Sequence, residues 1–292
     1  MTPAEATHED RYYVPHGSQW PIIGSIGLFL LMFGASHWLN GDDFGFWVMW
    51  TGVAVIVVML FGWFGKVISE SLAGRYNSQV DMSFRMGMFW FIFSEVMFFS
   101  AFFFALFYSR FFSVPWLGGE SNNFFTNLFL WSGFEAVWPT NGPGDVGGQF
   151  QPMEPFGLPL LNTAVLLSSS VTVTIAHHAL QQGNRLFLKI FLALTFLLGF
   201  TFIYLQGAEY IHAYTEMNLK LTTGIYGSTF FMLTGFHGLH VTLGAIILTI
   251  MWLRVMRGHF TPRHHFGFEA AAWYWHFVDV VWIALYVFVY WM

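Results

Sequence analysis

Phe84–Phe112 reads FRMGMFWFIFSEVMFFSAFFFALFYSRFF, and between Arg85 and Arg110 its one formally charged residue is Glu95. At ~1.5 Å per residue, a helix between those arginines reaches roughly 36 Å, enough to cross a ~30 Å hydrocarbon layer. Glu95 lies ten residues beyond Arg85, near mid-depth. A carboxylate there is expensive unless it is protonated, paired or wetted. The rest of the chain is expected to provide the surroundings that make this helix and its acid tolerable.

Working outward, the sequence predicts seven membrane spans. Residues 1–19 form a polar tail. Trp20–Trp38 and Phe46–Gly65 are the first two spans, separated by a turn at Asn40–Gly45. A polar connection at Lys66–Asp81 leads to the Phe-rich third span. Ser113–Pro155 is a long loop with Glu120, Glu135, Asp145 and Glu154, and loops of that length are usually functional or docked. Phe156–Leu180, Leu186–Tyr210, Thr223–Leu253 and Phe266–Trp291 complete the set. In domain terms, this gives a tail (1–19), a two-helix unit (20–65), a connection (66–83) and a five-helix unit (84–292) whose long loop is 113–155.

Composition agrees with a membrane protein. The chain is 56% hydrophobic and 9% charged, where soluble domains carry about 25% charge, and its mean hydropathy is +0.56. Cysteine is absent, which rules out disulfides, iron–sulfur clusters and Cys-ligated copper within this chain. A formal charge of −5 with no basic patch argues against nucleic-acid binding. Arg11, Lys66, Arg75, Arg85, Arg185, Lys189, Arg254, Arg257 and Arg263 collect on one side of the predicted spans, against Arg110 and Lys220 on the other. The positive-inside rule then places the N-terminus in the cytoplasm and the C-terminus and long loop outside.

Four groups of polar residues stand out. Glu95 is either a hydrogen-bonded acid that fixes packing or a proton- or lipid-handling one. His237 and His240, in FHGLH, are spaced i, i+3 and share a helix face. They would need ligands from other helices to hold a metal, and Glu95 is the nearest acid by depth. No Glu-x-x-His pair occurs, so a di-iron carboxylate bundle has no support. His276 and Asp279 form another i, i+3 pair, with Glu269 on nearly the same stripe, and read as a self-satisfied structural pair. His177–His178 and His264–His265 fall near the cytoplasmic surface, as freely titrating or proton-collecting side chains. The three lysines lie in loops or at helix ends, so a retinal Schiff base is not supported.

Four blocks carry a family resemblance: FRMGMFWFIFSEVMFF (84–99), LPLLNTAVLLSSSVTVTIAHHAL (158–180), YGSTFFMLTGFHGLHV (226–241) and HHFGFEAAAWYWHFVDVVW (264–282). The chain resembles subunit III of the haem–copper cytochrome c oxidases, from about Trp20 to Trp291. WPIIGSIG and VISES favour the seven-helix cytochrome c oxidase form over the typically five-span quinol oxidase subunit, and the long loop suggests a bacterial inner-membrane source. The resemblance implies an all-α fold in two bundles, the first two helices and the last five, diverging as a V whose cleft holds phospholipid. It implies no catalytic residue, metal or cofactor in this chain, with haem and copper in partner subunits. Subunit I is the expected main partner, with subunit II and a small subunit IV as further neighbours and cytochrome c as donor to the complex. The complex carries electrons from cytochrome c to O₂ and pumps protons, and this subunit supports proton uptake and protects subunit I.

Residue by residue, the resemblance makes Glu95 the family's carbodiimide-reactive intramembrane acid and His237 and His240 its neighbours. Glu70, Arg254 and His259 match positions expected near lipid headgroups. An alternative from a different class is a proton-conducting subunit, with Glu95, His237 and His240 as a relay. A stand-alone seven-helix sensor is a third reading.

Overall fold

The computed structural model describes residues 12–14 and 17–291. Most of the expected polar tail, Arg11 included, lies outside the described residues. Among those described, seven helices are long and apolar enough to cross a membrane, as the sequence predicts. The chain divides into two compact units, and the division falls after Met86.

The first unit is built on two helices, α1 (Trp20–Leu39) and α2 (Asp43–Leu72). They pack with almost no gap because glycines line their shared seam. A Cβ at Gly34 would strike the Met49 backbone, and one at Gly52 would strike Leu31. In lipid, where apolar helices gain little from hiding apolar surface, such close backbone approach is what holds two helices together. Side chains on the other faces, among them Phe29, Trp47 and Phe61, stay exposed.

The structure corrects the polar connection expected at Lys66–Asp81. VISES continues α2 to Leu72, and α3 (Ser78–Tyr108) already begins at Ser78, which leaves Ala73–Asn77 as the link. Glu70 makes the extension tenable. It is buried, and it accepts hydrogen bonds from Tyr13 Oη (3.0 Å) and Tyr76 Oη (2.9 Å).

The second unit, from Gly87 onward, holds the rest of α3 together with α6 (Leu158–Gln181), α7 (Arg185–Thr215), α8 (Gly224–Met256) and α9 (Phe266–Leu285). Its buried centre lies among α6–α9, not around the Phe-rich helix. Trp275 and Trp282 on α9 are fully buried. Their indole N–H groups donate to Ser169 Oγ and Thr163 Oγ1 on α6, both at 2.9 Å. Thr172 and Thr195 hydroxyls join α6 to α7 at 2.9 Å, and Gln206 Nε2 on α7 donates to the Thr234 carbonyl of α8 at 2.9 Å. In an apolar solvent such hydrogen bonds give the helices a definite register that greasy contacts alone do not. α3 lies at the margin of this unit. Phe98 and Phe102 pack on Phe236, and Phe99 packs on Phe277, while Phe89, Trp90 and Phe104 remain exposed.

The long loop is not irregular throughout. A π-helical turn (Ser109–Ser113) ends α3, and α4 (Val114–Leu117), a 3₁₀ turn (Ser121–Asn123) and α5 (Phe124–Leu130) follow. The chain then docks on the α7–α8 connection. Asn218 Nδ2 donates to the carbonyls of Gly147 (2.9 Å) and Gln149 (3.0 Å), Gln151 N donates to Met217 O (2.9 Å), and Tyr226 N donates to Thr140 O (3.2 Å). Gly224, at φ +55°, lies so close to the Asn141 backbone that a side chain would not fit.

Candidate functional site

Glu95 on α3 and His240 on α8 meet. His240 Nε2 lies 2.9 Å from Glu95 Oε2, with side-chain exposures of 11% and 21%. The other ring nitrogen, Nδ1, is 2.6 Å from the carbonyl of Phe236, which can only accept. Nδ1 therefore carries a hydrogen. The proton in the Nε2–Oε2 contact either stays on a neutral glutamic acid or passes to form an imidazolium–carboxylate pair. In both states the pair has no net charge, which answers the cost of a lone carboxylate at mid-depth. Phe99, Phe98, Phe277 and Tyr274 surround the imidazole with ring centroids 5.0–6.5 Å away.

His237 does not join that pair. It is fully buried, and its Nε2 lies 3.2 Å from the carbonyl of Val278 on α9. Phe202 and Trp282 pack on its ring. An i, i+3 step leaves two side chains ~60° apart around a helix axis. Because α8 has a neighbour on each flank, that offset aims one histidine at α3 and the other at α9.

The remaining predicted residues occupy separate places. Both oxygens of Glu70 already receive a tyrosine hydroxyl, and Arg75 Nη1 donates to one of those tyrosines, Tyr13, at 3.4 Å. Burial and the hydrogen bond to Glu70 push the Tyr76 phenol above its ordinary pKa. Arg254, at the end of α8, stacks its guanidinium 4.4 Å from the Phe260 ring centroid, and its buried Nε has no partner. Nearby His259 has an unpartnered, buried Nδ1. Burial first, then Arg254 and Arg257, push its imidazole below the ordinary value. His276 and Asp279 are 3.9 Å apart, too far for a hydrogen bond. His276 bonds Ser170 instead, its Nδ1 lying 2.7 Å from Oγ. Among the described residues, no three His, Cys, Asp or Glu side chains cluster as a metal site.

The family model described as cytochrome c oxidase subunit III matches residues 10–292. The chain belongs to the cytochrome c oxidase subunit III family. Cytochrome c oxidase subunit 3 of Oryctolagus cuniculus is 40% identical over 287 residues, covering 98% of each chain. The Gadus morhua protein of that name is 41% identical with the same coverage, and the Carassius auratus one is 42% identical over 281 residues, 96% of each. As a subunit III, the chain is a multi-pass membrane component of an oxidoreductase complex of aerobic respiration.

Two buried polar residues of this subunit III escaped the sequence reading. Glu209 on α7 is 1% exposed and accepts from Tyr290 Oη at 2.7 Å, while its Oε2 has no partner. Asn162 on α6 is fully buried with neither amide atom bonded. The fifth span was expected to stop at Tyr210, which leaves Glu209 at its very end and without a signal of its own. α7 runs a further turn, to Thr215, and keeps it inside. Nothing in the run LPLLNTAV distinguishes Asn162 from a cap.

Proposed function

We propose that this chain is a non-catalytic subunit III. Haem and copper belong to partner subunits, and this subunit sustains proton uptake and stability of subunit I while holding phospholipid against its helices. The observation that carries this reading is the closed Glu95–His240 pair. Its outer nitrogen is tied to a backbone carbonyl, aromatic rings surround it, and His237, which a relay would need next, is committed to α9. An acid–imidazole pair of this kind anchors α3 to α8 and makes a poor proton wire.

The test is Glu95→Gln in the intact complex. An amide keeps a hydrogen bond to Nε2, so turnover is expected to change by less than about tenfold, ~1.4 kcal/mol in barrier, with pumping retained. Severe loss of turnover with normal assembly would favour the relay. Metal analysis of the isolated chain should find no stoichiometric iron or copper.

For the lipid contact, Arg254 and His259 are the residues this reading favours. A guanidinium held flat on Phe260, with an unpaired N–H and a half-open imidazole beside it, suits a phosphate oxygen. Arg254→Ala should lower the phospholipid retained by the purified complex, and unchanged lipid would remove this assignment. The basic-residue bias and the long loop support a bacterial inner membrane with the N-terminus cytoplasmic. Reporter fusions at the two ends test that orientation.

A further inference from the structure

A small polar island interrupts the apolar outer surface of α6 and α9. Ser170 Oγ lies 2.7 Å from His276 Nδ1, and Thr174 Oγ1 lies 3.4 Å from Nε2 of the same ring. Both oxygens of Asp279 sit beside them without a hydrogen bond. The His276 side chain remains 42% exposed, and Thr174 is exposed as well. The surrounding surface is apolar, with Val171 60%, Val280 66% and Ile283 42% exposed.

Depth decides what can cover it. Thr174 lies seven residues before the end of α6 and His276 ten residues after the start of α9. At ~1.5 Å per residue, that is roughly 10–15 Å inside the spans, below the level of lipid headgroups. Ionisable side chains at such depth normally face a bundle interior or a wet cavity. His276 faces neither, since it lies on the outside of its own unit. Lipid tails offer nothing to an imidazole N–H. A neighbouring protein helix does.

We propose that the Ser170–Thr174–His276 island seats a transmembrane helix of a partner subunit, which presents an oxygen acceptor to His276 Nε2 and apolar side chains to Val171 and Val280. If the Ser170 hydroxyl donates to Nδ1, Nε2 carries the free hydrogen, and Thr174 at 3.4 Å satisfies it poorly. The inference rests on the chain being part of a larger membrane complex and adds which face the complex uses.

The experiment places a photoreactive benzoylphenylalanine at Val280 in the intact complex in native membranes. A crosslink to another subunit is expected. Crosslinks to lipid alone, to a second copy or to another part of this chain would overturn the proposal. His276→Leu gives a second readout. It should reduce several-fold the amount of this chain retained when the complex is extracted in detergent, whereas a lipid-facing site would accept leucine with retention unchanged, which also overturns the proposal. Co-purification of the unaltered chain separates the two claims. If it co-purifies while position 280 sees only lipid, the face is wrong and the subunit assignment stands. If it does not co-purify, both fall.

Discussion

At the scale of single residues, the second unit is tied together by side chains that carry one hydrogen bond each across a helix boundary. Trp282 is the clearest. Its indole fills space between α7 and α9 against Phe202, and its N–H reaches Thr163 on α6. Trp282→Phe removes both the bond and part of the volume and should cost ~1–3 kcal/mol, read as a lower midpoint of thermal unfolding. His240 makes a complementary case. His240→Leu leaves Glu95 without its partner, whereas Glu95→Gln keeps a donor at that spot. The leucine variant should therefore be the less stable of the two. Replacing both residues together should cost less than His240→Leu alone, since the stranded acid goes with it. Sequence made Glu95 and the FHGLH histidines visible because charged and imidazole groups are rare inside spans. It did not separate His237 from His240, since spacing along one helix says nothing of which neighbour lies on which flank.

At the scale of elements, the spans were legible in long apolar runs, and their ends were not. α2 carries Lys66, Ser69, Glu70 and Ser71 in its last turns, and composition alone reads that stretch as a connection. Tyr13 and Tyr76 turn Glu70 from a liability into a tether, and those partners lie 57 and 6 residues away in sequence. The α1–α2 seam depends on missing side chains. Gly34→Leu should push the two helices apart at a cost of at least ~1–3 kcal/mol and weaken disulfide trapping between cysteines placed across the seam. In the long loop, one side-chain amide makes two of the bonds that dock it. Asn218→Ala cuts its two bonds to Gly147 and Gln149, so backbone exchange across 140–151 should quicken while the spans keep their protection.

At the scale of the molecule, aromatic content misleads about where the centre lies. A Phe-rich helix looks like a core element by the habits of soluble proteins, but in a membrane phenylalanine is equally at home facing lipid. The buried centre is instead α6–α9, marked by Ser, Thr, Gln and Trp at helix contacts. A pH dependence near neutrality arises outside the spans, at His259. Because His259 is held below the ordinary imidazole value of about 6.5, the unfolded chain binds its proton first as pH falls. Its contribution to stability is present above that value and declines as pH drops through the window below it. Thermal midpoints measured across that window should fall less steeply for His259→Gln than for the unaltered chain.

The docked loop has a practical corollary for anyone wishing to attach a probe. Because 140–151 is laced to the turn between α7 and α8, an epitope or fluorophore inserted there would pry open the rim of the second unit. The exposed bend at Glu120–Asn122 carries no such lacing to α7 or α8 and is the better place to splice in a label.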